Sequence, residues 1–387
     1  MKPSATLAMD ARAKEMVEQE HKDVLSFALG EPDFPTPDPI AEAAVQAIHG
    51  GHTKYTAASG TARLKQAICT ATERDLGVVV QPTQVCVSNG AKHTISNILG
   101  TLLDPGDHVI LIAPYWVSYA DLVELFDGTW TAVATAAERG FVPEIAAVEE
   151  AVTDRTVAVL INSPSNPAGA VWDPADVEAL GELALRRNLT IISDEIYKHI
   201  IYDGREHVSP AALSDEVRAR TIIVDGVSKT YSMTGWRIGW LIAPAPFAKA
   251  IGTLQSQMTS CPNAIAQEAA ADALLGPQDA VEAMRVEFEE RRDLIVRLLS
   301  AISGLSCPTP GGAFYAFPNV SALFGRELRG RKIGNATDMS MYLLDEGLVS
   351  TVPGEAFGVT DYIRLSFACS TEAIEEGCRR IAAALGG

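Results

Sequence analysis

The sequence has few of the patterns by which a metal site or a disulfide framework is recognised. Its six cysteines are scattered without a CxxC pair, and its seven histidines form neither an HxxxH nor an HExxH pattern. Such spacings place metal ligands on neighbouring parts of a chain. We therefore predict no metal site, and cysteines that remain free, buried thiols.

Basic residues and long apolar runs are scarce as well. Lysine and arginine together number 31 against 49 aspartates and glutamates, which gives a net charge of −18. A chain this acidic would repel a phosphate backbone or an anionic membrane surface. The sequence shows no sustained apolar run of the kind found in a leader peptide or a membrane span. We predict a cytoplasmic protein with no nucleic-acid and no membrane partner.

What the chain does have is enough apolar sequence for more than one core. Its 387 residues, 47% of them hydrophobic, predict a large domain and a smaller one. Apolar spacing near the N-terminus predicts a helix over residues 11–24, followed by an extended segment over residues 25–29. Further along, short apolar runs alternate with helical patterns, which is typical of an α/β fold with a mostly parallel sheet.

The sequence DGVSKTYSMTGWRIG at residues 225–239 places a lysine and an arginine between two apolar, strand-like runs. A lysine held where water is scarce has a destabilised ammonium form, so its amine is free to attack a carbonyl. Lys229 is the candidate for that amine, and the planar guanidinium of Arg237 suits a phosphate dianion. Pyridoxal phosphate has both an aldehyde and a phosphate, and would satisfy both residues. From this stretch alone, a solvated loop lysine and a surface arginine are an equal alternative.

Two strand ends offer further contacts to such a cofactor. A short apolar strand turns through Gly90, Ala91 and Lys92 into a helix, whose free N–H groups and dipole favour a phosphate. The strand at residues 189–193 delivers Asp194, a carboxylate that must be paired if it is buried. A protonated pyridine nitrogen would be its partner, and the ring would then act as an electron sink. The alternatives are ordinary turn packing for the glycine and a helix N-cap for Asp194.

Three further side chains have a specific interpretation. Trp116 follows the carboxyl end of a buried strand, where open α/β sheets bind ligands, so its ring could stack on a pyridine or simply pack in the core. Asn166 precedes a proline, which extends its backbone and fixes the direction of its amide. Arg364 alternates with apolar residues in a strand pattern and would bind a carboxylate, unless it is an edge-strand charge.

The segment at residues 228–239 resembles the lysine segment of the class I and II aminotransferases of fold type I, and similar motifs extend over nearly the whole chain. Within that family the chain is most similar to the bacterial aspartate aminotransferases of subgroup Iβ. The resemblance implies a large cofactor-binding domain over residues 40–280, with a mostly parallel seven-stranded sheet flanked by helices. It also implies a smaller α/β domain built from residues 1–39 and 281–387, and pyridoxal phosphate as the cofactor.

The resemblance also implies a role for each candidate residue. Catalytic roles are implied for Lys229, Asp194 and Tyr197. Cofactor contacts are implied for Gly90, Ala91, Lys92, Trp116, Asn166, Asp194, Tyr197, Lys229, Arg237 and Tyr55. Substrate contacts are implied for Gly30, Trp116, Asn166, Arg364, Lys2 and Thr6.

Some of these roles rest on the resemblance alone. In the family, the counterparts of Asn166 and Tyr197 bond the phenolic oxygen of the cofactor. The backbone of Gly30 and the guanidinium of Arg364 would hold the α-carboxylate of the substrate.

Other roles concern the neighbouring subunit and the N-terminus. Tyr55 would reach the cofactor phosphate of the other subunit, which implies a homodimer with shared active sites. The segment that contains Lys2 and Thr6 resembles one that folds over the site and helps to bind a distal carboxylate. Gly226 departs from the pattern, because many relatives carry a phosphate-binding serine there.

Together these features predict a pyridoxal-phosphate-dependent aminotransferase that moves an amino group from an L-amino acid to a 2-oxo acid, with aspartate and 2-oxoglutarate as the first pair. Lys229 would be the general base and acid. One alternative is an aminotransferase for another substrate, such as prephenate, an aromatic amino acid, alanine or a specialised biosynthetic compound. A second is a C–S β-lyase. A third, the cofactor-binding domain of a transcription regulator, would need a basic helix-turn-helix segment that we do not expect.

Overall fold

In this computed structural model, which describes residues 5–386, short strands alternate with helices along the chain. The strands are β1 (Leu25–Ser26), β2 (Val85–Ser88), β3 (His108–Ile112), β4 (Thr129–Val133), β5 (Thr156–Asn162), β6 (Thr190–Asp194), β7 (Thr221–Gly226), β8 (Gly239–Ile242), β9 (Tyr315–Ala316), β10 (Glu327–Leu328), β11 (Arg331–Lys332), β12 (Val349–Ser350), β13 (Val352–Pro353) and β14 (Ile363–Ser366). The helices are α1 (Ala5–Glu18), α2 (Asp38–His49), α3 (Ala62–Leu76), α4 (Ala91–Leu102), α5 (Ser118–Leu125), α6 (Ile145–Glu150), α7 (Pro174–Arg187), α8 (Asp215–Arg218), α9 (Val227–Thr230), α10 (Ala245–Met258), α11 (Ala264–Leu275), α12 (Asp279–Ser300), α13 (Ala336–Gly347) and α14 (Thr371–Leu385).

Seven strands form the central sheet, in the order β2-β8-β7-β6-β5-β3-β4. Strand β8 is antiparallel to both of its neighbours, and the other neighbouring strands are parallel. The parallel strands β3, β5, β6 and β7 are rich in Val, Ile and Leu and largely buried, as strands covered by helices on both faces must be. The predicted α/β fold with a mostly parallel seven-stranded sheet is confirmed.

The register of this sheet brings several predicted residues to one edge. Asn162 lies opposite Asp194 in the β5–β6 pair, and Asp194 lies opposite Val224 in the β6–β7 pair. Because parallel strands run in the same direction, the segments that follow them leave the sheet on the same side. Those segments carry Asn166 after β5 and Lys229 after β7.

Both ends of the described chain contribute to a second region of sheet. Strands β13, β14 and β9 form an antiparallel sheet, and β1 pairs in parallel with β12. Backbone hydrogen bonds run from Phe27 to Ser350 and from Ser366 to Phe27, and so tie the N-terminal segment to the C-terminal strands. The domain limits given by residues 40 and 280 stay a prediction.

The first helix lies earlier in the chain than the apolar pattern predicts. Helix α1 spans Ala5–Glu18 and not residues 11–24. Just beyond it, His21 has a φ of 53°, a left-handed conformation through which an α-helix does not continue. The prediction is wrong because the apolar spacing extends past the point where the backbone leaves the helix.

A buried ion pair supports the turn between β7 and α9. Nζ of Lys198 lies 2.5 Å from Oδ2 of Asp225 and 3.7 Å from a carboxylate oxygen of Asp75. The other carboxylate oxygen of Asp225 accepts a hydrogen bond of 2.7 Å from the N–H of Gly226. The pair therefore fixes the backbone just before the short helix that carries Lys229.

Candidate active site

A cavity of about 360 Å³ lies at the edge of the central sheet where β3, β5, β6 and β7 end, a volume typical of small-molecule sites. Its wall contains the predicted residues Gly30, Ala91, Lys92, Trp116, Asn166, Asp194, Tyr197, Lys229, Arg237 and Arg364. Two tyrosines that the sequence patterns did not single out, Tyr119 and Tyr315, line it as well.

The amine of Lys229 is held inside this cavity with little access to water. Its Nζ donates a hydrogen bond to the carbonyl oxygen of Gly30. Burial lowers the pKa of Lys229 to about 8, with Glu31 opposing the shift and the cations of Arg364 and Arg237 adding to it. A much larger fraction of this amine is therefore uncharged near neutral pH than for a solvated lysine, as a nucleophile or general base requires.

The carboxylate of Asp194 is buried at the end of β6, with 3% of the residue exposed. One oxygen accepts a hydrogen bond of 2.6 Å from the hydroxyl of Tyr119, and the other accepts one of 3.3 Å from the N–H of Ile196. Burial raises the pKa of Asp194 to about 6, and the two hydrogen bonds oppose this shift. Within the described part of the chain, no side-chain cation lies at ion-pair distance, so the carboxylate is available to a cationic ligand atom.

Arg237 and the N-terminus of α4 form a cradle for an anion. Gly90, the residue before α4, has a φ of 88°, and a Cβ added to it would lie 2.5 Å from Nη2 of Arg237. The backbone conformation therefore favours glycine, and the absence of a side chain lets the guanidinium lie this close. Among the described residues, Arg237 has no carboxylate partner, and its Nη1 donates 2.9 Å to the carbonyl oxygen of Thr234. A phosphate could take hydrogen bonds from the guanidinium and the helix N–H groups together.

The glycine at position 226 has a packing reason in this chain. A Cβ added to Gly226 would lie 2.9 Å from the carbonyl oxygen of Ile238 and 3.0 Å from the Cα of Gly239. A serine there would require the backbone of β8 to move. Close packing of β7 against β8 therefore explains why this chain has no serine hydroxyl at position 226.

Arg364 is a buried cation that has no carboxylate partner among the described residues. Only 2% of the residue is exposed, and its Nε has no hydrogen-bond partner. Nη1 donates 2.9 Å to Oδ1 of Asn166, and Nη2 donates to the carbonyl oxygen of Ala28. Because the Asn166 oxygen is occupied by Arg364, its amide N–H groups remain available as donors. A guanidinium so placed requires an anion, and a carboxylate of a ligand would supply it.

Aromatic rings complete the wall of the cavity. The Trp116 ring packs edge-to-face on Tyr119 with 5.4 Å between centroids, and Nζ of Lys92 lies 5.0 Å from the Trp116 ring centroid. The hydroxyls of Tyr197 and Tyr315 are 2.8 Å apart and both residues are buried. Sequence patterns missed Tyr119 and Tyr315 because their hydroxyls reach the site only through contacts between distant elements.

Gly90 and Tyr55 are described by the structure but do not line this cavity, although Gly90 directly precedes Ala91, which does. Tyr55 is 92% exposed and lies in a separate surface cleft with His52 and Cys261. Lys2 lies outside the described residues. Thr6 belongs to α1, but its side chain is outside what the structure describes.

The residues present fit pyridoxal phosphate. The cradle at Arg237 and α4 suits a phosphate, the unpaired carboxylate of Asp194 suits a protonated ring nitrogen, and the desolvated amine of Lys229 suits an aldehyde. All three groups face one cavity with Trp116, whose ring could stack on a pyridine.

Comparisons with known proteins point to the same chemistry. A family model described as aminotransferase class I and II matches residues 22–381. An aspartate aminotransferase of Rhizobium meliloti (strain 1021) is 44% identical over 98% of this chain and 93% of the relative. An aspartate/prephenate aminotransferase of Cereibacter sphaeroides is 43% identical over 100% of this chain and 97% of the relative. The structure of aspartate aminotransferase from Thermus thermophilus with maleate superposes with a TM-score of 0.93, at 38% identity, and covers 99% of this chain and 97% of that one.

Proposed function

Because this chain belongs to the family of class I and II aminotransferases, we propose that it transfers the amino group of aspartate to 2-oxoglutarate. The chain is an aminotransferase that uses pyridoxal phosphate. The observation that carries the choice of substrate is the set of cations in the cavity wall. In the part of the chain that the structure describes, the wall contains the cations Lys92, Lys229, Arg237 and Arg364 and a single carboxylate side chain, that of Asp194.

The proposed roles divide among the charged groups of the cavity wall. When bound, pyridoxal phosphate supplies an electron sink for negative charge at the α-carbon of the substrate. Arg237 and the first turn of α4 would bind its phosphate, and Asp194 would hold a proton on its ring nitrogen. Arg364 would orient the substrate through its α-carboxylate, so that the α-hydrogen points at Nζ of Lys229. Nζ, with its lowered pKa, would then take that proton.

Lys92 is the cation left over once these roles are filled. Within the described residues it has no carboxylate partner at ion-pair distance, and its ammonium lies over the ring of Trp116. Burial lowers the pKa of Lys92, and the nearby Arg237 adds to this shift. A second carboxylate on the substrate would stabilise the charged form. We therefore propose a dicarboxylic substrate whose distal carboxylate binds the ammonium of Lys92. This role is in addition to the cofactor contact predicted for Lys92 from the sequence.

Lys92→Met tests this proposal. The variant is expected to lower kcat/KM for aspartate by about tenfold or more, because a charge-assisted hydrogen bond is lost, while kcat/KM for alanine changes little. The measurement is the conversion of the bound cofactor's absorbance by each amino acid in single turnover. Lys332→Met, which alters an exposed lysine on β11, is the matched control. Equal losses for aspartate and alanine in Lys92→Met would contradict the assignment.

Prephenate is a second candidate acceptor. It also carries two carboxylates, and one of the reported relatives is named an aspartate/prephenate aminotransferase. The same cations would serve both acceptors. Comparing 2-oxoglutarate with prephenate as the second substrate in steady-state assays separates the two. Formation of pyruvate and ammonia from a β-substituted amino acid, without any 2-oxo acid, would instead support a lyase.

We further propose that the enzyme is a homodimer with shared sites. Tyr55 is 92% exposed, which is unusual for so large an aromatic ring, and it does not reach the cavity of its own chain. A second subunit would cover this ring and bring it to the partner's phosphate cradle.

Hybrid dimers test the sharing of sites. Tyr55→Ala and Lys229→Ala are each expected to be impaired, but in a hybrid of the two one site keeps both residues. With random mixing, half of the dimers are hybrids, and each hybrid has one intact site and one defective site. The mixture is therefore expected to recover about a quarter of the parent activity. If the mixed activity is only the average of the two separate variants, the sites are not shared. Mixing Lys332→Met with Lys229→Ala controls for dilution.

A cytoplasmic location is also proposed. It is supported by the acidic charge of −18 and by the dependence of the enzyme on small, water-soluble substrates. Among the helices of residues 5–386, none combines the length and the apolar character needed to cross a bilayer.

A further inference from the structure

Tyr315, at the start of β9, touches three functional groups at once. It is buried, with 1% of the residue exposed, and lines the cavity. Its hydroxyl lies 2.8 Å from that of Tyr197, and the guanidinium carbon of Arg364 lies 4.6 Å from the centroid of its ring. Its hydroxyl is also packed so closely on Gly30 that a Cβ at that position would collide with it.

The hydrogen-bonding capacity of the two hydroxyls determines which of them donates to the other. A tyrosine hydroxyl donates one hydrogen bond and can accept two. If Tyr197 donates its proton to the phenolic oxygen of the cofactor, its oxygen can still accept from Tyr315. No other acceptor for the Tyr315 proton is found within the described residues. Among the described residues, the Tyr197 oxygen is therefore the acceptor available to the proton of Tyr315.

We propose that Tyr315 is a positioning residue that acts through Tyr197 and Arg364. Its hydroxyl donates to Tyr197 and so directs the Tyr197 proton towards the phenolic oxygen. Its ring lies against the guanidinium that receives the substrate α-carboxylate and holds it in place. This inference rests on the proposed function, because it assumes the cofactor in this cavity.

Burial keeps both hydroxyls protonated. Burial raises the pKa of Tyr315 and raises that of Tyr197 well above the usual range for tyrosine. Arg364 opposes both shifts, while Asp194 adds to the shift of Tyr197. Lys229, whose pKa is lowered, lines the same cavity. Neither tyrosine therefore ionises in the working pH range, and the pair acts as a chain of two neutral donors.

Tyr315→Phe separates the hydroxyl from the ring, since phenylalanine keeps the ring under Arg364. The readout is a pH titration of the visible absorbance band of the protein loaded with pyridoxal phosphate, which follows the proton shared by the Lys229 nitrogen and the phenolic oxygen. A hydrogen bond to the phenolic oxygen stabilises its negative charge and lowers the midpoint of this titration. Weakening that bond in Tyr315→Phe is expected to raise the midpoint by about half a pH unit. KM for aspartate is expected to stay near the parent value.

A double-mutant cycle shows whether the effect passes through Tyr197. Tyr197→Phe alone is expected to raise the midpoint, and adding Tyr315→Phe to it is expected to change nothing further. An additive second shift, or a Tyr315→Phe titration identical to that of the parent, would overturn the inference. Tyr315→Leu, which removes the ring as well, is expected to raise KM for aspartate severalfold. An unchanged KM in that variant would overturn the proposed support of Arg364.

Two controls keep the result interpretable. Tyr342→Phe removes the hydroxyl of another buried tyrosine, which donates 2.6 Å to the carbonyl oxygen of Ala384 away from the cavity, and it is expected to leave the midpoint unchanged. If the parent protein forms no visible cofactor band after loading with pyridoxal phosphate, the proposed function fails and this inference fails with it. If the parent titrates and Tyr315→Phe titrates with the same midpoint, the proposed function stands and the proposed role of Tyr315 is wrong.

Discussion

Lys229→Ala is expected to lower kcat for transamination by a factor of about 10⁴ or more, because it removes both the amine proposed to bond the cofactor and the base proposed to take the α-proton. The cavity wall holds one other lysine, Lys92, whose ammonium lies over the ring of Trp116. The measurement is steady-state conversion of aspartate and 2-oxoglutarate by the purified variant after reconstitution with pyridoxal phosphate.

Rescue by an added amine tests whether this loss of activity comes from the missing Lys229 amine. A small primary amine added to Lys229→Ala could enter the space left by the side chain and take over proton transfer, which would restore part of the rate. The rescue should increase with pH as the added amine loses its proton. Lys332→Ala, at an exposed position on β11, should behave like the parent. Turnover at the parent rate by Lys229→Ala would refute the mechanism.

Asp194→Asn is expected to give the second largest loss, a fall in kcat of about 10³-fold. An amide cannot hold a proton on the ring nitrogen, so the ring withdraws electrons less well, and stabilisation of developing charge is commonly worth this much. Cofactor affinity should fall as well, because the carboxylate no longer pairs with a cation. Glu216→Gln, at an exposed position on α8, is a matched control.

Asp194→Asn is also expected to change how the free energy of unfolding of the cofactor-free protein depends on pH. The folded-state pKa of Asp194, about 6, is raised from the ordinary value of 3.8. The folded state then binds more protons than the unfolded state between those values, so this group destabilises the fold as the pH rises through 6. Its contribution should be about 1.4 kcal/mol less favourable at about pH 7 than at about pH 5. Urea unfolding of parent and Asp194→Asn at both values isolates the difference, and equal pH dependence in the two proteins would show that the carboxyl titrates normally.

The positions of several site residues follow from the sequence because parallel strands impose them. Asn166, Asp194 and Lys229 each follow an apolar run, and in the structure their strands β5, β6 and β7 are neighbours that end on the same side. Once the sheet is predicted, their proximity is a geometric consequence. Arg364 was predicted from alternation within a strand, and it too lines the cavity.

Other features could not be read from local patterns. Tyr315 meets Tyr197 only because β9 pairs with β14 beside the central sheet, and no periodicity reports a contact across 118 residues. Tyr119 lies in the first turn of α5, soon after Trp116. An aromatic residue that only packs in the core would give the same sequence pattern there. Both bounds of α1 were misplaced because apolar spacing describes one face of a helix and not where its hydrogen bonds begin and end.

The contacts of Arg364 have a consequence for how the protein is made. Its guanidinium bonds Asn166, 198 residues earlier, and Ala28, 336 residues earlier in the chain. A ribosome releases the lysine and the phosphate cradle well before the strand that carries this arginine. A nascent chain can therefore form much of the central sheet before the proposed α-carboxylate site is complete, because that site needs an arginine that is synthesised later.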